Sequence, residues 1–180
     1  MFSPPLSIYM TKTIFNRIAQ FFYKLAYRCI LTLWFFTRPT VYGVYVAIWH
    51  RDNLLVIKNS YKKRITIPCG RIKRGEDKVE AAVRELYEEV DIKLEKEQLT
   101  FVGEYKGQFK HATDIGTFFE ITMTEMPPVQ ADNREVIWAR FLSLQEVYNL
   151  DLNPTVKTWL NQRLTDSERQ PQKIDHASTK

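Results

Sequence analysis

Cysteine is scarce in this chain. Cys29 and Cys69 are the only two among 180 residues, and their separation gives neither zinc-ligand spacing nor a disulfide framework. With no cleavable signal in view, because positive charges run through the N-terminal segment and no small-residue cleavage site follows, the expected setting is a reducing cytoplasm. There is no apolar run of about 20 residues, the length a spanning helix needs, since Arg17, Lys24 and Arg28 interrupt the only candidate. Internal repeats and long linkers are absent. Acid is missing from residues 1–40, which carry Lys12, Arg17, Lys24, Arg28 and Arg38, while residues 41–180 hold 21 residues of each sign. The net charge of +5 therefore belongs to an appendage, and no specific nucleic-acid partner is indicated.

The length suits one domain with short appendages: a basic amphipathic segment over 1–40, a core domain over 41–164, and a polar tail over 165–180 expected to be disordered. Residues 1–13 read as a loose lead-in. From residue 14 the pattern turns helical, with Ile14, Ile18, Phe21, Phe22, Leu25 and Cys29 on one face and Arg17, Gln20, Lys24, Tyr27 and Arg28 on the other. Two readings stay open for this helix. It lies on a membrane surface through its basic, aromatic-rich flank, or it packs on its own domain or on a second subunit.

The core domain begins with strands over 43–49 and 54–58, a basic loop over 59–64, and an extended lead over 66–69. Strands over 99–106 and 116–123 are joined by a polar loop over 107–114. A strand over 136–142 precedes a helix opened by the capping-box spacing of Ser143 and Glu146, and a short helix follows Pro154.

What the chain has in abundance is acid on one helix. A helix over 77–90 puts Val79, Ala82, Val83, Leu86 and Val90 on an apolar stripe, with Glu85, Glu88 and Glu89 at i, i+3 and i+4 on the next. Like charges at that spacing repel, whereas hard divalent cations want clustered carboxylate oxygens. Arg84 is i, i+4 to Glu88 and able to orient a carboxylate.

The stretch GRIKRGEDKVEAAVRELYEEVDI over 70–92 resembles the Nudix box, GX5EX7REUXEEXGU with U aliphatic. Gly70, Glu76, Arg84, Glu85, Leu86, Glu88, Glu89 and Ile92 match; Asp91 stands where the family has glycine. That position ends the helix and favours left-handed dihedrals, which Asp tolerates better than most residues. The resemblance implies an α/β/α sandwich with a mixed β-sheet, with the box helix on one face and a later helix on the other. It implies hydrolysis of a nucleoside diphosphate linked to another moiety, X, with Mg²⁺ or Mn²⁺ as cofactor. Glu88 and Glu89 would be main metal ligands, Glu85 a ligand or the general base, Arg84 the group that orients a glutamate, and the Cys69 carbonyl a further ligand. Gly70 and Glu76 would support the motif. Glu120 and Glu135 are candidates for a base outside the box. Arg64, with Lys58, Lys62 and Lys63, could meet phosphates, and Lys110 and His111 lie where a loop could touch substrate. A catalytically silent module that binds a nucleotide-like ligand is the alternative function.

Overall fold

The computed structural model describes residues 6–169. Helix α1 (Leu6–Thr37) precedes strands β1 (Thr40–His50), β2 (Asn53–Asn59) and β3 (Cys69–Arg71), then helix α2 (Lys78–Val90). Strands β4 (Thr100–Phe109), β5 (Ala112–Met123) and β6 (Val136–Ser143) follow, and helices α3 (Leu144–Tyr148) and α4 (Pro154–Arg169) are the last elements among the described residues.

The sheet is mixed, in the order β4-β5-β1-β2-β6. β1 runs parallel to β5 along its whole length, from Thr40↔Thr113 to His50↔Met123. Its other edge is shared: Trp49 and His50 pair with β2, while Gly43, Val44 and Tyr45 pair with β3. The sheet therefore parts along that edge, and β3 carries the chain out of the gap toward α2.

Successive side chains of a strand point to opposite faces, and β1 uses both. Val44, Val46 and Ile48 join Ala82, Leu86 and Val90 of α2 in one core. Tyr45, Ala47 and Trp49 join Val156, Trp159 and Leu160 of α4 in the other. Two buried layers on one sheet are the expected α/β/α sandwich.

Both ends of α2 are set by local chemistry. The Asp77 side chain accepts from the backbone N–H of Val79 at 2.8 Å, which caps the start. Asp91 ends the helix with φ 57° and ψ 28°, its N–H donating to Tyr87 O at 3.2 Å while Ile92 N–H reaches Leu86 O at 3.4 Å. This is the left-handed C-terminal turn expected for the position that glycine holds in the motif.

Three expectations are corrected. The lead-in is already helical from Leu6, so α1 is longer than the residue pattern indicated; residues 1–5 lie outside the described residues. The 107–114 loop is instead a tight hairpin, because β4 and β5 stay in register to Phe109↔Ala112 and leave only Lys110 and His111 to turn. Gly107 is not a turn signal there. A Cβ on it would stand 2.2 Å from Thr155 Oγ1 and 2.7 Å from Thr155 N, so it is the gap into which α4 settles. Finally α4 runs to Arg169, past the expected start of the polar tail, on residues with good helix propensity such as Gln, Arg, Leu and Glu; residues 170–180 lie outside the described residues.

Candidate active site

Arg84 is the hub of the site. Its Nε and Nη2 donate to the two oxygens of Glu76 at 2.7 and 2.9 Å, a two-pronged grip. Nη1 donates to Glu85 Oε1 at 2.5 Å and to Glu88 Oε2 at 3.3 Å, and Nη2 also reaches the Arg71 carbonyl at 3.0 Å. One guanidinium thus ties three carboxylates of the box to the end of β3. The hydrogen bonds from Arg84, with help from the Lys73 backbone, hold the Glu76 carboxyl down at about 2.

Gly70 is required by close approach. A Cβ built on it would fall 1.9 Å from the Glu85 carboxyl carbon and 2.1 and 2.2 Å from its oxygens. The Glu85 carboxylate occupies the space that any other residue would fill. Burial raises the Glu85 pKa, and Arg84 pulls against that rise.

Glu89 departs from the stripe arithmetic. Rather than joining Glu85 and Glu88 at Arg84, it is buried at 4% exposure. Its Oε2 accepts from the Cys69 N–H at 2.8 Å, and Asn59 Nδ2 stands 3.4 Å from Oε1. Burial pushes its carboxyl up to about 8, against the field of Lys62. Burial also opposes the charge of Lys62, but Cys69, Tyr61, Glu89 and Glu135 outweigh it and lift the ammonium pKa above its ordinary value. The Cys69 thiol is pushed up to about 12 by burial, so its sulfur stays protonated and only its backbone serves the site.

A cavity of about 490 Å³ is lined on its charged side by Lys62, Arg84, Glu85, Glu88 and Glu135, while Glu76 and Glu89 lie behind that lining. The size suits a small-molecule ligand. The opposite wall is α1, through Tyr23, Ala26, Tyr27, Ile30 and Trp34. Tyr23 stacks on Tyr61 at 5.8 Å and Tyr27 tilts against it at 5.1 Å. Arg71 sits over Trp34 at 5.4 Å, and Gln20 Nε2 donates to the Asn133 carbonyl at 3.0 Å. Tyr61 in turn donates to Glu135 Oε1 at 2.5 Å. Of the two open readings of α1, packing on its own domain is met on this face.

Not every expected residue arrives at the site. Arg64 pairs with Asp151 at 3.1 Å, and Lys58 donates to the carbonyls of Lys62 and Lys63, so it braces the loop. Of that basic run, Lys62 alone lines the cavity. Lys110 lies over Tyr27 at 6.0 Å and His111 meets Phe35 edge-on at 5.0 Å; the hairpin turn touches α1 and neither residue lines the cavity. Glu120 is held by Arg163 of α4, away from the box. Glu135 does reach the cavity. No sequence motif marks the α1 aromatics as site residues. Their signal was present, since Tyr23, Tyr27, Ile30 and Trp34 recur every three or four residues, but nothing local says what such a stripe faces.

Among the described residues, no three His, Cys, Asp or Glu side chains converge on one metal position; Arg84 gathers the carboxylates instead. The donor chemistry nevertheless fits a hard divalent ion. Glu85, Glu88, Glu89 and the Cys69 carbonyl offer only oxygen, and Glu89 is a buried carboxylate with too few donors to settle its charge.

A family model described as NUDIX domain matches residues 39–162. No curated protein matches the chain in sequence. Among solved structures, the MutT protein from Methanosarcina mazei Go1 aligns at 18% identity over 73% of this chain and 97% of that one, with a TM-score of 0.60. The NUDIX domain of Shewanella oneidensis NrtR, complexed with ADP ribose, aligns at 12% identity over 71% and 88%, TM-score 0.61. A bifunctional NMN adenylyltransferase/ADP ribose pyrophosphatase from Francisella tularensis, complexed with AMP and Mn ion, aligns at 19% identity over 84% and 48%, TM-score 0.59. At such identities the likeness is one of fold.

Proposed function

The chain belongs to the Nudix family, and from that premise we propose that it hydrolyses the pyrophosphate bond of a nucleoside diphosphate linked to another moiety, X. The observation that carries this reading is the set of oxygen donors, Glu85, Glu88 and the Cys69 backbone, brought together on the lining of one ligand-sized cavity. The neighbours complexed with ADP ribose, and with AMP and Mn ion, support a nucleotide derivative and a divalent metal.

Glu88, Glu89 and the Cys69 carbonyl would hold Mg²⁺ or Mn²⁺, and when bound the ion supplies charge neutralisation on the pyrophosphate. Glu85 is the general base. It takes a proton from the attacking water as the water oxygen bonds to phosphorus and the bridging P–O bond breaks, and a phosphate-bearing group leaves. Arg84 fixes the direction of the Glu85 carboxylate. Lys62 meets the phosphates as a point charge, and the aromatic wall of α1 covers the base or X.

Screening nucleotide derivatives with Mg²⁺ or Mn²⁺, wild type against Glu88→Gln, tests the assignment. The wild type turns over at least one compound, and the variant loses about 10³-fold in kcat, the scale of a lost catalytic carboxylate. Equal activity in the two would sink the proposal. A second reading, a module that binds a nucleotide-like ligand without cleaving it, is favoured by one observation: Glu85 and Glu88 are both turned to Arg84 and not to a common metal position.

Metal binding should depend on pH. With its carboxyl near 8, Glu89 carries a proton at pH 7 that must leave before the oxygen can ligate. Mg²⁺ affinity therefore weakens about tenfold for each pH unit below 8, and binding at pH 7 releases close to one proton. Calorimetry in buffers of different ionisation enthalpy measures that release. An affinity unchanged between pH 6 and 9 would exclude Glu89 as a ligand in this state.

A further inference from the structure

The face of α1 turned away from the cavity is also built for something. At 3.6 residues per turn, Ile14, Ile18, Phe21, Phe22, Leu25 and Phe36 share one side of the helix, nearly opposite Tyr23, Tyr27, Ile30 and Trp34. All six are 47% to 76% exposed. An exposed apolar row of this length asks for a partner. Arg17, Lys24 and Arg28 run along one border of the row, all exposed, and among the described residues no ion pair engages them. Among the described residues, no helix is long and apolar enough to cross a membrane.

We propose that this outer face of α1 seats the protein on an anionic lipid surface, while the inner face of the same helix walls the catalytic cleft. Charge decides the occupant. An apolar stripe bordered by cations fits the boundary between acyl chains and acidic headgroups, with aromatic rings at the interface and basic ends reaching the phosphates. A second copy of α1 fits poorly, because residues 1–40 contain no acid and self-pairing would bring two rows of Arg and Lys together without a counter-charge. The helix is about 10 Å across, so the seat places the cleft one helix diameter from the headgroups.

The test is co-sedimentation of the full chain with phosphatidylcholine vesicles, with and without phosphatidylglycerol. Retention on the anionic vesicles should be tighter by on the order of a hundredfold, three basic side chains each contributing, and should fall as salt is raised. Phe21→Glu/Phe22→Glu should abolish retention, and Lys24→Glu/Arg28→Glu should remove the preference for the anionic lipid. Each variant should keep the circular dichroism spectrum and thermal midpoint of the wild type, since the replaced side chains face away from the domain. Failure of the wild type to bind either vesicle would overturn the proposal, as would equal retention of the Phe21→Glu/Phe22→Glu variant. A wild-type dimer at sedimentation equilibrium that Phe22→Glu dissociates, with no vesicle retention, would assign the face to a second copy instead.

Discussion

Replacing Gly70 with alanine is expected to lower turnover by about a hundredfold with little loss of stability. The added methyl would sit inside the van der Waals shell of all three atoms of the Glu85 carboxyl group, so one of the two must move. Backbone on β3 is held by its pairing with β1 at Val44↔Gly70 and Tyr45↔Cys69, which leaves the carboxylate to give way. The carboxylate is the end of a flexible side chain beside a cavity, so the fold loses little, but displacing a reacting group by about 1 Å can cost about 10² in rate. Steady-state kinetics and thermal denaturation of Gly70→Ala measure both. Activity within twofold of wild type would mean that the Glu85 position seen here is not the working one.

Arg84→Lys should be nearly as damaging, although it preserves charge. Lysine cannot reproduce the fork that spans both Glu76 oxygens while reaching Glu85, Glu88 and the Arg71 carbonyl. A loss of about 10² in kcat/KM is expected, together with a specific change in titration. Glu76 is held at about 2 chiefly by Arg84, so in the variant its carboxyl should rise toward the ordinary carboxylate range. Because the native value is depressed, the stability that this pairing contributes is fully present above the unfolded carboxylate pKa and is lost as pH falls through about 2. The stability gap between wild type and variant should therefore be widest above about pH 4.5 and shrink below it. Carboxyl titration by NMR and acid denaturation read the two effects; an unshifted Glu76 would remove Arg84 from its role as organiser.

The parts of this protein that could be read from sequence are those set by neighbours in sequence. The left-handed turn at Asp91 and the capping box at Ser143 follow from local dihedral and hydrogen-bond chemistry, and the α2 apolar stripe follows from helical period. What escaped is set by distant partners. Glu89 shares a helix side with Glu85 and the exposed Glu88 by arithmetic, yet β3 lies over it and offers the Cys69 N–H, so it is buried. Gly107 looks like a turn residue until α4, nearly fifty residues later, brings Thr155 against it. Tyr27 shares a face with basic residues yet turns inward, because a tyrosine ring is apolar along most of its surface and here Tyr61 and the cavity meet it. Arg64 and Lys62 are two residues apart and equally basic, and only the three-dimensional path of the loop sends one to Asp151 and the other to the cavity.

One comparison separates a site that cleaves a pyrophosphate from a site that only holds one. Binding of a nucleotide derivative is followed by calorimetry in EDTA, and its fate is followed by phosphorus NMR after Mg²⁺ is added in ¹⁸O-labelled water. Mg²⁺-dependent cleavage, with the label carried on one phosphate product, is the predicted result. Tight binding with an intact pyrophosphate after prolonged incubation with metal would assign the Arg84 cluster to recognition alone.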